Sequence, residues 1–144
     1  MEYFQMNYKI NIKKLKTKEK TEQFIIIKDE NFMFFIQGSY GFYKEAIRQM
    51  RIQLGIASEI KESMVLLLYR LVMDGEKEII SKDELIQFVD WIEGLCIIMI
   101  EAEKINFKDP SVIRYLKIAE EFTNQTKKLL KIKPIKNDSK RVNS

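Results

Sequence analysis

Histidine is absent from the 144-residue chain, and cysteine occurs once, as Cys96. Without histidine the chain lacks the commonest general base, the base of Ser-His and Cys-His nucleophile pairs, and the usual imidazole metal ligand. A single cysteine excludes an intrachain disulfide and a cysteine-rich zinc site. We therefore expect a protein that is not an enzyme, has no cofactor or metal, and resides in a reducing compartment.

Glycine and proline are also scarce, with five and two residues, and this scarcity predicts long regular elements with few loops. The longest apolar runs, 95–100 and 64–73 with Arg70 inside it, are too short to cross a bilayer, which takes about 20 residues. Residues 1–5 lack the basic and apolar regions of a secretory signal. These absences predict a cytoplasmic protein that does not contact membranes.

The composition that remains favours a packed core, since 46% of the residues are hydrophobic and 11% are aromatic. The chain length is near the commonest size of one domain. No linker divides the chain before Pro134, and a polar, basic segment follows it. We predict a single α+β domain at 1–134 and a basic flexible tail at 135–144.

Three strands are predicted in the first quarter of the chain. Apolar and polar residues alternate over 3–13, which is typical of a strand with one buried face. Two β-rich runs, 23–28 and 32–37, flank Asp29-Glu30-Asn31, a sequence that favours a turn. The two runs are therefore expected to pair as a hairpin. Since both are apolar on two faces, their aromatic residues are either covered by helices or form an exposed stacking platform.

Four helices are predicted after the hairpin, at about 40–54, 59–74, 82–104 and 110–132. Ser39 is expected to cap the first, Ser81 and Glu84 have the spacing of a capping box, and Asp109 followed by Pro110 favours the start of the last. The predicted fold is α+β, with an N-terminal three-stranded antiparallel β-meander packed on a cluster of four α-helices.

Two segments could suggest chemistry, but their spacing favours structural roles. Gly38-Ser39-Tyr40-Gly41 has neither the Walker spacing nor that of a nucleophile elbow, and we interpret it as a turn with a helix cap. The carboxylates of the third helix, at 83, 90, 93, 101 and 103, are interpreted as a solvated face.

Basic residues concentrate at the two ends of the chain. Residues 1–22 hold six lysines against three glutamates, and 131–144 hold five basic residues against one aspartate. Because the whole chain has a net charge of +4, the segment 23–130 is net acidic. Basic patches attract polyanions, since phosphate neutralisation releases counterions, although solvated lysines are also ordinary surface.

From this distribution we expect non-enzymatic nucleic-acid binding, to single-stranded or duplex DNA or RNA, with stacking of bases on the hairpin aromatics as an added contact. The expected phosphate contacts belong to the first loop, a stripe on the first helix, and the tail. They are Lys13, Lys14, Lys16, Lys18, Lys20, Lys44, Arg48, Arg51, Lys136, Lys140 and Arg141.

The alternative is a helical protein-protein interaction module: an assembly subunit, an inhibitor or a regulatory adaptor. Residues 95–100 of the third helix are all apolar, so they surround the helix instead of forming a stripe. Either this segment lies at the centre of the helix cluster, or it is buried by another chain, including a second copy in a homo-oligomer. The candidate interface residues are Leu95, Ile97 and Ile98.

Overall fold

The computed structural model describes residues 7–16, 18, 20–53, 62–101, 106 and 108–131, and for 45–53 it describes the backbone alone. The elements in chain order are β1 (Ile12–Lys14), β2 (Gln23–Ile27), α1 (Glu30–Gln53), α2 (Glu62–Val72), β3 (Lys77–Ser81), α3 (Lys82–Glu101) and α4 (Pro110–Leu130). Three antiparallel strands and four helices confirm the predicted α+β class.

The sheet has the order β1-β2-β3, with both neighbouring pairs antiparallel. Strand alternation places Phe24, Ile26 and Ile80 on one face, where each is at most 1% exposed. Helices α3 and α4 lie against the sheet and cover this face. The opposite face carries Lys13 and Ile79, which are exposed.

The predicted third strand at 32–37 is wrong, because these residues lie inside α1. Asp29 caps this helix: its Oδ1 accepts a hydrogen bond from the backbone N–H of Phe32 at 2.9 Å. Phe32, Phe35 and Ile36 have helical spacing and are fully buried. The cap was mistaken for a turn, since Asp and Asn favour both. The helix predicted to begin at 40 therefore begins ten residues earlier.

The actual third strand is β3, a segment that the sequence-based prediction assigned to a connection. It lies between α2 and α3 and pairs with β2 in a register that matches Phe24 with Ile80. Gly75 precedes it with φ of 155°, a conformation that residues with a side chain rarely adopt. The residues of β2 that pair with β3 lie 50 to 58 positions earlier in the chain, so no local turn signal indicates the strand.

The remaining elements agree with the prediction to within a few residues, apart from β1, which is much shorter than the predicted strand at 3–13. Residues 1–6, 17, 19, 54–61, 102–105, 107 and 132–144 lie outside the described part of the chain. The single domain at 1–134 and the tail at 135–144 remain predictions.

Both predicted helix starts after β3 are confirmed. The Glu84 Oε1 accepts from the N–H of Ser81 at 2.9 Å, and the Ser81 Oγ accepts from the N–H of Glu84 at 3.2 Å, so the capping box is complete. Asp109 accepts from the N–H of Ser111, with Pro110 in the first helical position. At the other end of α4, Lys131 closes the helix with φ of 59°.

An aromatic cluster centred on Phe35 joins three helices in the core. Its ring centroid lies 5.2 Å from that of Phe122 in α4, 5.6 Å from Tyr115 in α4 and 6.1 Å from Phe88 in α3. Phe24 and Phe32 are also fully buried. The expected stacking platform of hairpin aromatics is therefore wrong, because 32–37 is helical and Phe24, Phe32 and Phe35 are core residues, whereas Phe34 is half-buried beside the Arg114 guanidinium.

The segment Gly38-Ser39-Tyr40-Gly41 is the middle of α1, and Ser39 is not a helix cap. Its buried hydroxyl donates to the Phe35 carbonyl at 2.8 Å and shares a 2.7 Å hydrogen bond with the Tyr115 hydroxyl. A Cβ atom on Gly38 would lie 2.9 Å from Cδ1 of the Tyr115 ring. These two small residues let α1 approach α4 closely.

Two basic side chains fasten the C-terminal end of α2 to the sheet. The buried ammonium of Lys28 donates to the carbonyls of Arg70 and Met73 at 2.7 and 3.0 Å. The Arg70 guanidinium contacts Glu78 at 2.9 Å and Glu84 at 2.6 Å. Burial alone would lower the pKa of Arg70, but its hydrogen bonds to Glu84 and Glu78 outweigh this and raise it. This network fixes the position of α2.

Candidate functional site

Three surfaces are candidates for function, and the first is the basic segment formed by β1 and the β1–β2 connection. All five lysines predicted to contact phosphates there are exposed; they are Lys13, Lys14, Lys16, Lys18 and Lys20. Glu22 contacts Lys14 at 3.2 Å and Lys82, the first residue of α3, at 3.7 Å. The hydrogen bond from Lys14 lowers the pKa of Glu22. The structure thus brings Lys82, which the sequence did not suggest, to this basic segment.

The other predicted phosphate contacts are only partly within the described residues. Lys44 is exposed on α1, with its ammonium 4.7 Å from the centroid of the Tyr40 ring. The side chains of Arg48 and Arg51 lie outside the described residues, as do the predicted tail contacts Lys136, Lys140 and Arg141.

The second surface lies on α3, where the predicted interface is only partly exposed. Leu95 is 3% exposed and belongs to the core, and Ile98 is half-buried against it. Ile97 is 57% exposed and Ile100 is 53% exposed. One side of the apolar run therefore packs inside the protein and the other side faces outward, so the run is compatible both with a central position in the helix cluster and with a contact to another chain.

Between α3 and α4 lies a groove of about 550 Å³, which we call the α3–α4 groove. The helices run antiparallel, with Glu93 bonded to Lys127 at 2.7 Å. Four large apolar residues line the groove, namely Ile97, Ile100, Ile113 and Leu116. Its remaining lining is Glu93, Cys96, Lys117, Ala119, Glu120, Thr123 and Asn124. The lining combines an apolar strip with polar and charged groups.

Among the described residues, the rim of the α3–α4 groove is net acidic. Lys127 compensates Glu93, and the groove-lining Lys117 and Glu120 have opposite charges. By helical geometry, Asp90 and Glu101 lie beside Ile97, on its side away from α4. Both are exposed, and neither forms an ion pair with another described residue. Two carboxylates that have no ion pair within the described part of the chain therefore border the apolar strip.

Cys96 lines the same groove and is half-buried there. Burial, followed by the nearby Glu93 carboxylate, raises its pKa from 9.0 to about 11. Since the thiolate is the nucleophilic form, the arrangement does not activate this cysteine. Within the described part of the chain, no three His, Cys, Asp or Glu residues are grouped so as to hold a metal ion.

The third surface, which sequence reasoning missed, lies on α2. Met64, Leu67 and Leu71 lie on the buried side of this helix. The opposite side exposes Val65, Leu66 and Tyr69, and Met73 follows directly after the last residue of the helix; these four large apolar residues are between 48% and 62% exposed. We call these four residues the α2 surface. The sequence indicates this surface because 64–73, apart from Arg70, has apolar residues on all sides of a helix, whereas packing one face against the core requires them on one side only.

Beside the α2 surface, a groove of about 480 Å³ separates α2 from α1. Three tyrosines line it, Tyr40, Tyr43 and Tyr69, together with Gln37, Val65, Leu68 and Val72. Tyr40 is 45% exposed. The groove therefore extends the apolar area of the α2 surface towards α1.

The chain matches no protein-family model, no curated protein and no solved structure. Among the helices in the described ranges, none combines the length and hydropathy of a membrane-spanning helix. Function must therefore be inferred from the geometry of the three surfaces.

Proposed function

We propose that the chain is a non-enzymatic, cytoplasmic protein-interaction module that binds a basic amphipathic helix of a partner protein in the α3–α4 groove. The observation that carries this proposal is the exposure of three isoleucines along one groove: Ile97, Ile100 and Ile113 are 57%, 53% and 40% exposed. An assembly subunit, an inhibitor and a regulatory adaptor could each use such a surface.

The shape of the groove supports a helical ligand. An amphipathic helix binds between two helices by inserting apolar residues at i, i+3 or i+4, and i+7. The groove runs from Glu93, near the middle of α3, to Ile100 at its last turn. This separation of seven residues spans about 10 Å, or two helical turns, which accommodates three such anchors.

The charge of the rim supports a basic ligand. Lysines or arginines beside the anchors of the partner would lie near Asp90 and Glu101, which have no ion pair of their own among the described residues. Rim charges act mainly on specificity and association rate. Salt should therefore slow association more than it changes dissociation.

The test is a titration of a fluorescently labelled amphipathic peptide of about 18 residues, with leucines on one face and lysines on the other. We expect saturable binding that Ile97→Glu abolishes. The matched control is Leu66→Glu, which changes a similarly exposed apolar residue on α2; this variant should bind the peptide as tightly as the wild type. A peptide with glutamates in place of the lysines should bind more weakly. Equal binding of both peptides, or no effect of Ile97→Glu, would contradict the proposal.

A second candidate function is nucleic-acid binding by the basic segment, favoured by the exposure of its five lysines beside Lys82. The affinity for labelled DNA and RNA oligonucleotides, measured by fluorescence anisotropy, should then fall steeply with salt. The slope of log K against log salt concentration should be about −0.9 per phosphate contact on duplex and about −0.7 on single strands. Replacing the five lysines with glutamine should flatten that slope without changing the melting temperature. Absence of binding at low salt would remove this candidate.

A further inference from the structure

We infer that the outer edge of β1, which we call the β1 edge, binds an acidic extended segment of a partner protein as a fourth, antiparallel strand of the sheet. This inference does not depend on the α3–α4 groove. It involves the same lysines as the nucleic-acid candidate, but the recognition is by backbone hydrogen bonds. It rests on the open backbone groups of the β1 edge, on the blocked opposite edge of the sheet, and on the charge along β1.

The β1 edge presents backbone groups to which no described residue bonds. Leu15 donates its N–H to β2 at 2.8 Å, and Asn11 accepts an N–H from β2 at 2.9 Å. Since successive residues of an antiparallel strand direct these groups to opposite sides, Ile12 and Lys14 direct theirs away from β2. Among the described residues, β1 has no second neighbouring strand. An edge of this kind pairs with an extended peptide through main-chain hydrogen bonds.

The opposite edge of the sheet is blocked by side chains of the chain itself. The Arg70 guanidinium donates to the outward carbonyl of Ile79 in β3 at 2.7 Å. At the end of β3, the Glu84 Oε1 accepts from the outward N–H of Ser81 at 2.9 Å. These bonds hinder the addition of a strand at β3. The β1 edge is therefore the one at which an added strand fits.

The side chains of β1 specify the sequence pattern of the added strand. Ile10 and Ile12 face the core and are 2% and 7% exposed, whereas Lys13 lies on the exposed face of the sheet beside Ile25. Residues directly opposite each other on neighbouring strands lie on the same face. The added strand would therefore place an apolar residue opposite Ile12 and an acidic residue opposite Lys13, which is an alternating pattern.

The charge of the β1 edge favours an acidic partner over a second copy of the chain. Segment 7–20 contains six lysines and one glutamate, and all six lysines are exposed. Among them, only Lys14 forms an ion pair with a described residue, at 3.2 Å from Glu22. Two copies paired along β1 would bring two such basic segments side by side, whereas carboxylates opposite the lysines attract them.

The acidic residues beside the start of β1 are engaged or offset. Asp29 caps α1 and accepts a side-chain hydrogen bond at 2.9 Å from the residue before β1. Glu30 lies 4.0 Å from Arg114. On the side of α4 that carries Arg114, Glu121 is followed by Lys128 two turns later, so their charges offset each other. The lysines therefore determine the sign of the charge at the β1 edge.

The test uses the full chain and a labelled peptide of about nine residues in which glutamate alternates with valine, followed by fluorescence anisotropy. In an antiparallel strand with its valines on the buried face, the valine N–H groups point to the β1 edge and the glutamate N–H groups point away. N-methylation of the valines should therefore weaken binding at least about tenfold, since several hydrogen bonds are lost. N-methylation of the glutamates, which gives a peptide of the same charge, should leave the affinity nearly unchanged.

Variants of the chain test the same contact from the side of β1. Lys14→Pro removes the outward N–H, a change that an edge strand tolerates, whereas Lys14→Gln removes only the charge. Lys14→Pro should bind the peptide about fivefold more weakly than Lys14→Gln. Lys13→Gln should weaken binding severalfold, whereas the matched control Lys77→Gln, at an exposed lysine of β3, should bind like the wild type. Circular dichroism should show the same fold for all four variants.

No binding of the unmodified peptide, or equal binding of the two N-methylated peptides, would overturn the inference; in the second case the lysines act by charge alone, as the nucleic-acid candidate requires. Equal binding by folded Lys14→Pro and Lys14→Gln would overturn it as well. Tighter binding of the peptide with N-methylated valines would overturn the antiparallel arrangement, because a parallel strand donates through its glutamates. A dimer of the chain that Lys14→Pro dissociates and Lys14→Gln does not would assign the β1 edge to a second copy. If Lys14→Pro unfolds the chain, the comparison of the two N-methylated peptides decides alone.

Discussion

The close contact between α1 and α4 predicts that alanine substitutions at two glycines of the same helix have opposite effects. Replacing glycine with alanine in a helix interior stabilises it by about 0.5–1 kcal/mol through helix propensity alone. Gly41 has nothing within 4 Å of the added Cβ, so Gly41→Ala should show that full gain. At Gly38 the added Cβ would lie 2.9 and 3.3 Å from two carbons of the Tyr115 ring.

The Tyr115 ring has little room to move away. It is 1% exposed, stacks on Phe35 at 5.6 Å, meets Phe42 edge-on at 5.0 Å, and its hydroxyl is bonded to Ser39. Overpacking of this kind costs about 1–3 kcal/mol. Since the propensity gain is common to both variants, the difference between them isolates the clash at about 1–3 kcal/mol.

Urea denaturation followed by circular dichroism measures this difference directly. We expect a lower midpoint than wild type for Gly38→Ala, or at best an equal one, and a higher midpoint for Gly41→Ala. Two midpoints that rise together, with free energies of unfolding within about 0.5 kcal/mol of each other, would show that α1 does not approach α4 as closely as described.

Three further predictions concern the caps, the core and the cysteine. Ser81→Ala should lower the free energy of unfolding by about 0.5–2 kcal/mol through loss of the cap, and an unchanged urea midpoint would contradict the capping box. Phe34→Ala should cost less than the about 3–5 kcal/mol of a fully buried ring, because Phe34 is half-buried with the Arg114 guanidinium 4.1 Å from its centroid; a larger loss on thermal melting would contradict this placement. Iodoacetamide should alkylate Cys96 slowly at pH 7 and faster towards pH 11, because the thiolate is the reactive form. Folding favours the protonated thiol, so the contribution of Cys96 to the free energy of unfolding is complete below pH 9 and is lost as the pH rises through about 11. Fast alkylation at pH 7 without unfolding would contradict the raised pKa.

Local signals in the sequence were sufficient for much of the fold. The capping box at Ser81 and the Asp109-Pro110 start depend on neighbouring residues only, and both were predicted. The first part of α1 was not, because Phe32 to Ile36 is rich in residues that strands also favour. The helix is distinguished only when Ser39 is included, because the buried residues Phe32, Phe35, Ile36 and Ser39 then recur at intervals of three and four.

Strand β3 and the candidate sites depend on distant contacts, which local signals do not report. The strand exists because β2 pairs with it, and β2 is separated from it by two helices. On α3 the sequence left open whether 95–100 is central or an interface, and of the candidate interface residues Leu95, Ile97 and Ile98 only Ile97 faces out. Leu95 packs inward, and the exposed Ile100 was not among the candidates. The side of α2 that faces outward is decided by how Lys28 and Arg70 fasten it to the sheet.

The most direct test of the proposed function uses the chain's single cysteine. Cys96 lines the α3–α4 groove, and all thiol alkylation of the chain occurs at this residue. The alkylation rate of Cys96 is measured at pH 9, with and without a saturating concentration of the basic amphipathic peptide. If the peptide occupies the groove, the rate should fall severalfold, and Ile97→Glu should abolish that protection. An unchanged rate while anisotropy shows the peptide bound would place the ligand elsewhere and contradict the α3–α4 groove as the interaction site.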